Sequence, residues 1–259
     1  MDNEVLKYRA SVAYNAEVFL IQCADLMKGF MAVDENFKVI LKPLGTEHDT
    51  KGHSHVSLLP LVFLIQRQAH VAFDLFTRAQ SYQAWLLARP GIECALIIGK
   101  WVDDPNNATI WRNRVHDIKR YRATYEGAAL QSKSLANSDK IQSVLKKLND
   151  FFSHANHSYY ERHMKIFDLN ADQVTLQIDY TDDGLTQEAH ALAFLHLILV
   201  IQQDIADMCA RLFGHAVQLG TNTQGLRDRF SARLQRLVER KPDAKTILDE
   251  MGAWVASES

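Results

Sequence analysis

The sequence predicts an all-α fold, a multi-helix bundle carrying one small β-hairpin insertion at about residues 164–180. Three observations predict it. Apolar residues recur at helical spacing, three and four residues apart, along most of the chain. Gly (11) and Pro (5) together make up only 16 of 259 residues, too few turn formers for the many short strands of an all-β fold. One stretch alone, MKIFDLNADQVTLQIDY, switches to a period of two: Val174, Leu176 and Ile178 alternate with Thr175, Gln177 and Asp179.

At 47% hydrophobic and 23% charged residues, the composition is that of a globular protein. A chain this long buries roughly three-quarters of its unfolded surface, so a single helical domain over 1–259 is expected, with no structural metal or disulfide. The net charge of -2 leaves any anion binding to local patches. Cys23, Cys94 and Cys209 sit in apolar helical contexts without a Cys-x-x-Cys, as buried reduced thiols of a cytoplasmic protein do. The N-terminus MDNEVLKYRA has no apolar signal core. The longest uniformly apolar stretch is broken by His196 and reads as too short to span a bilayer, so no membrane contact is expected.

Taken in order, residues 4–31 read as helix with Val5, Tyr8, Val12, Phe19, Cys23 and Met27 as its buried stripe. Pro43, Gly45, Gly52 and the run EHDTKGHSH predict a long loop over about 32–54. Residues 55–88 are apolar and turn-free, a central helix, with a kink or helix join expected at Pro90–Gly91. Helix resumes to about Lys100 or Trp101. Another runs from the Asn106–Thr109 region to about Ala129, and a further one from Ser138 or Asp139 to about His154. After the hairpin, Thr186 or Asp183 starts the most hydrophobic helix, about 185–213, which Gly214 ends. An amphipathic helix follows, and Pro242 begins a short last one with Ile247, Met251 and Trp254 on one side.

Chemistry-bearing residues fall into several groups. Arg229, Arg233, Arg236 and Arg240 are spaced four, three and four apart, one stripe of a helix whose other face carries Phe230, Leu234, Leu237 and Val238. The stripe reads first as a solvated face paired to nearby acids, and otherwise as a surface for an anionic partner. Arg67, Asp74 and Arg78, with His70 beside them, make a polar seam on an otherwise apolar helix; Arg89 and Glu93 join it across the proline. Buried charges must pair or line a cleft, so the seam is either an internal Arg–Asp network or, with His154, a ligand site. His154, His157 and Glu161 share a face if helix continues there, a donor set suited to zinc or iron; capping or surface histidines are the other reading. His53 and His55, with His48 nearby, are a looser pair of the same kind. Arg112, Arg114, Lys119, Arg120 and Arg122 scatter around their helix and form no single face. No Gly-x-Ser-x-Gly, phosphate loop or dinucleotide fingerprint occurs, and no cofactor is expected.

Two segments carry a resemblance. SYQAWLLARPGIECALIIGKWVDDP and LNDFFSHAN resemble runs in a helical bacterial family of unknown function, over about residues 55–160. That resemblance implies an all-helical fold and supplies no activity. Asn149, Asp150 and His154 also resemble the motif of the HEPN superfamily of helical RNases and nucleotide-binding proteins, with Asn149 standing where the motif has arginine. Losing that cation removes the group expected to hold a phosphate, which implies a binding or inactive member.

The expected function is that of a non-catalytic helical protein binding a ligand or partner, and a homo-oligomer, in particular a homodimer. A HEPN-like RNA-binding protein or RNase is the alternative, and a metal-dependent hydrolase using His154, His157 and Glu161 the second.

Overall fold

A computed structural model describes residues 3–46, 58–152, 163–170, 173–179, 181–220 and 223–240. The described residues are mostly helical, an all-α architecture built around one long central helix.

Helix α1, Glu4–Gln22, is capped by Asn3, whose Oδ1 accepts the Leu6 amide at 3.3 Å. It turns at Cys23 into α2, Ala24–Thr46. Of the expected α1 stripe, Val12, Phe19 and Cys23 are buried, whereas Val5 and Tyr8 are exposed. Residues 32–46, expected as the start of a long loop, are helix; 47–57 lie outside the described residues. Val33, Phe37, Ile40 and Leu44, spaced four, three and four apart, are all buried, and that stripe outweighs the two breakers. Pro43 sits in the last helical turns, where one missing amide donor costs little beside four buried side chains.

The expected central helix divides at a different place from the one the proline marks. Helix α3, Leu59–Thr77, and α4, Ser81–Asp103, form a helical hairpin joined at residues 78–80, and α4 runs unbroken through Pro90. Ala79 takes a positive φ of 57° at the turn and lies buried. Its carbonyl accepts the Asp182 amide at 2.9 Å. The turn was illegible because alanine lacks the signal glycine gives for a left-handed residue.

The next expected helix is two: α5, Asn106–Arg112, and α6, Ile118–Tyr125. Asp117 caps α6 by accepting the Arg120 amide at 3.0 Å, and a 3-10 turn, Gly127–Leu130, follows. Helix α7 spans Ser138–Phe152 and packs on α4. Two extended segments come next, β1 (Met164–Asn170) and β2 (Gln173–Ile178), with Met164 opposite Ile178.

Helix α8, Gly184–Phe213, is the core. Asp183 caps it, accepting the Leu185 and Thr186 amides at 3.0 Å each, and Gly214 ends it with φ 76°. By length and composition it could cross a membrane, contrary to the expectation from sequence; 89% of its most apolar window is buried inside the molecule. It packs against α2, α3, α4 and the last described helix, α9, Thr223–Arg240. A polar network fixes three of these helices. Asn36 of α2 donates to Gln202 Oε1 (3.3 Å) and Thr223 Oγ1 (3.2 Å) and accepts the Gly220 amide (2.9 Å). Gln202 donates to the Val33 carbonyl at 2.7 Å. Each of these groups would be costly to bury unpaired, so the network specifies one register.

Candidate functional site

The structure scatters the polar seam. Arg67, His70 and Asp74 are exposed on α3. Arg78 clasps Asp74 with two donors, Nε to Oδ2 at 2.8 Å and Nη2 to Oδ1 at 3.2 Å, an i,i+4 pair facing water. His70 turns the other way, to Asp34 of α2 at 2.8 Å. Gln66 donates to the same carboxylate at 2.8 Å, and Lys38 lies 3.2 Å from its other oxygen. The partial burial of Asp34 is outweighed by these donors, which hold its pKa below the usual carboxylate value. The seam is therefore two surface clusters, because α3 buries a narrower arc than its apolar composition implied.

The arginine stripe also divides. Arg229, Arg236 and Arg240 are exposed. Arg233 is mostly buried and bridges Asp25 of α2 and Glu188 of α8, with Cys23 Sγ 3.8 Å from its Nη2. Burial works against its charge, but the two carboxylates outweigh it and raise the guanidinium above its usual pKa. Burial, followed by Glu188, pushes the Cys23 thiol up to about 11, so this cysteine is a packed thiol and no nucleophile. Cys94 and Cys209 are likewise buried thiols outside any disulfide.

Arg89 and Glu93 do meet in a cleft. The space between α4, α6 and α7 measures about 690 Å3, within the range of small-molecule sites. Helix α4 supplies Arg89 and Glu93, whose charged atoms stand 4.0 Å apart. The Arg89 Nε donates to Asn149 Oδ1 of α7. Tyr121 forms part of the wall, stacked on Tyr125 with ring centroids 5.3 Å apart. Burial, then the nearby Glu93 charge, raises the Tyr121 hydroxyl, which stays a neutral donor. Tyr125 is fixed from behind, accepting from Trp101 Nε1 at 2.9 Å and donating to the Asn107 carbonyl at 2.6 Å. Burial pushes that phenol up to about 12, the Trp101 bond opposing. Glu126, Asp139 and Lys146 also line the cleft. The cleft thus offers a held guanidinium, carboxylates, an amide and an aromatic face, a set that binds and orients.

Of the residues lining the cleft, the sequence had singled out Arg89 and Glu93 as part of the polar seam and Asn149 only as the position of the HEPN-motif arginine; it gave no notice of Tyr121, Asp139 and Lys146. The i,i+4 pair of tyrosines was the available signal; the fold of α6 back onto α4 was not. His154, His157 and Glu161 lie outside the described residues, as do His48, His53 and His55. Among the described residues no three His, Cys, Asp or Glu side chains gather as a metal-holding group. Arg112, Arg114, Lys119, Arg120 and Arg122 are exposed; Arg114 stacks over Trp111 at 4.0 Å and Arg122 pairs with Glu126 at 3.3 Å.

Compared with protein-family models, curated proteins and solved structures, the chain matches none.

Proposed function

We propose that this is a non-catalytic, cytoplasmic helical protein that binds a small polar ligand in the cleft between α4, α6 and α7. One observation carries the reading: Arg89 presents its charge to an open space of about 690 Å3 while Asn149 and Glu93 hold it in place. A positioned guanidinium is a preorganised anchor for a carboxylate or phosphate. The aromatic wall at Tyr121 offers a flat face, and Glu93 and Asp139 accept donors. The contacts in the cleft hold and orient a charge, which supports binding over catalysis.

Thermal unfolding against nucleoside monophosphates, amino acids and dicarboxylates tests it. A ligand at a hundred times its dissociation constant adds about 2.7 kcal/mol to stability. The expected outcome is a rise in Tm with one of these classes, lost in Arg89→Gln and in Asn149→Ala. No rise with any class, or a rise that survives both substitutions, removes the cleft as the site.

A second reading, a HEPN-like RNA-binding protein or RNase, has its own support in the same contact. Asn149 replaces the motif arginine, and Arg89 from a different helix brings a cation against it. Retention and cleavage of single-stranded RNA at low salt, both falling in Arg89→Gln, would favour this reading over the first. We further infer that residues 164–180 form a self-contained hairpin, supported by the two-residue alternation and the pairing of Ile166 with Leu176. Strand-type backbone chemical shifts across 164–178 are the expected result.

A further inference from the structure

We propose that the cleft between α4, α6 and α7 takes a zwitterionic, aromatic α-amino acid, its carboxylate on Arg89, its ammonium on Glu93 and its ring against Tyr121. This rests on the reading of the cleft as a binding site and names the class of molecule that occupies it.

Arg89 and Glu93 are four residues apart on α4, so they share one face, and both line the cleft. Their charged atoms stand 4.0 Å apart, too far for a hydrogen bond. Among the described residues, only the Nε of Arg89 is engaged, by Asn149 Oδ1, and the Glu93 carboxylate accepts no hydrogen bond. The two side chains are only 36% and 30% exposed, so water answers each charge incompletely. A partly buried charge gains from a hydrogen-bonded counter-charge. A molecule with a carboxylate and an ammonium on one carbon supplies both counter-charges at once.

The rest of the lining disfavours a more strongly charged ligand. Glu126 is answered by Arg122 at 3.3 Å. That leaves Arg89 and Lys146 against Glu93 and Asp139, with no net charge. A phosphate dianion or a dicarboxylate would meet a carboxylate beside the guanidinium that holds it, whereas a neutral zwitterion meets no excess of either sign. Burial and then the Glu93 charge raise the Tyr121 hydroxyl, which places that ring beside the charged pair. Tyr121 stacks on Tyr125, and Leu130 and Leu145 add apolar wall. An aromatic side chain gains from both burial and ring contact there.

Isothermal titration calorimetry of the full chain with L-phenylalanine, phenethylamine, 3-phenylpropanoate and adenosine monophosphate tests the proposal. L-phenylalanine is expected to bind. Phenethylamine and 3-phenylpropanoate each lack one of its charges and should bind about ten-fold more weakly or worse, since one charge-assisted hydrogen bond is left unmade. Glu93→Gln should weaken L-phenylalanine about ten-fold and leave 3-phenylpropanoate no weaker; Arg89→Gln should weaken L-phenylalanine equally and leave phenethylamine no weaker. The four compounds are compared on the parent chain first, so a variant that fails to fold leaves that comparison standing. Binding of 3-phenylpropanoate as tight as that of L-phenylalanine, or an L-phenylalanine affinity unchanged in Glu93→Gln, overturns the zwitterion and leaves the cleft as a site. So does binding of adenosine monophosphate, lost in Arg89→Gln, with none of L-phenylalanine. No binding of any of the four overturns the proposal and counts against the cleft itself.

Discussion

Four arginines at one helical spacing do unequal work, and partners decide which. Arg233 reaches two carboxylates from two other helices, and Glu188, with a side chain only 15% exposed, depends on it for compensation. Removing one member of a partly buried ion network leaves the others uncompensated. Arg233→Met is expected to lower the unfolding free energy by about 2 kcal/mol in urea titration, a value discounted for the exposure of Asp25. Arg236, exposed on the same helix, should change it by less than about 0.5 kcal/mol when made Gln. Equal losses at the two positions would mean that the Arg233 bridge contributes nothing. The same logic revises Asp74. Truncating a buried, paired Asp74 would cost about 3 kcal/mol; as an exposed i,i+4 pair with Arg78 it is worth about 0.5 kcal/mol. Any nucleic-acid contact by this helix has Arg229, Arg236 and Arg240 to use, and not Arg233.

At the scale of elements, glycines on helices set how closely neighbours approach. A Cβ on Gly29 of α2 would collide with the ring tip of Phe230 on α9. Helix propensity alone favours Gly29→Ala by about 1 kcal/mol, whereas overpacking a fitted ring costs about 1–3 kcal/mol. The expected net effect is destabilisation, read as a lower urea midpoint with an unchanged slope; a higher midpoint would show that Phe230 swings aside freely. This contact also marks where sequence reading stops. The stripes of α7, α8 and α9, with the caps Asp183 and Gly214, were legible because each is a local pattern obeying one period. The division at Ala79 was not, because an alanine there takes the left-handed place usual for glycine, closing α3 through the Gln80 amide on the Leu75 carbonyl at 3.0 Å, while its own carbonyl accepts from Asp182, about a hundred positions away. Pro43, Gly45 and Pro90 misled for the same reason: a breaker counts less than buried side chains contributed by other helices. The cleft was half legible. Arg89 and Glu93 share one helix face, but Tyr121 and Lys146 join them only once α6 and α7 fold against α4.

For the whole molecule, burial and hydrogen bonding shift its carboxylates in opposing directions, and the balance predicts its response to acid. Asp182, almost wholly enclosed, accepts the Ser81 amide at 2.9 Å, and His163 Nε2 lies 3.3 Å from its other oxygen. Burial alone would raise its pKa, but these donors and the nearby His190 hold it below the usual value. Asp25 and Asp34 are lowered as well, burial being outweighed by Arg233 in one case and by Gln66, His70 and Lys38 in the other. A carboxylate whose folded pKa is depressed contributes stability above its unfolded pKa, about 4, and loses it as pH falls through the folded value. Asp204 is the opposite. Burial raises it despite the backbone and side-chain donors of Asn137 at 2.9 and 2.8 Å. The folded chain takes up that proton before the unfolded one does, so its contribution grows as pH falls through the folded value towards about 4. The expected Tm therefore drops steeply only below about pH 4, when the three depressed carboxylates are forced to protonate. Asp204→Asn isolates the opposing part, since the variant cannot titrate at that position. Its Tm relative to the parent should be highest at neutral pH and should decline between pH 7 and about pH 4, as the parent alone gains a proton there. Circular dichroism melts of both chains at pH 7, 5, 4 and 3 provide the comparison. A Tm difference that stays constant down to pH 4 would mean that Asp204 titrates in the folded protein as it does in the unfolded chain.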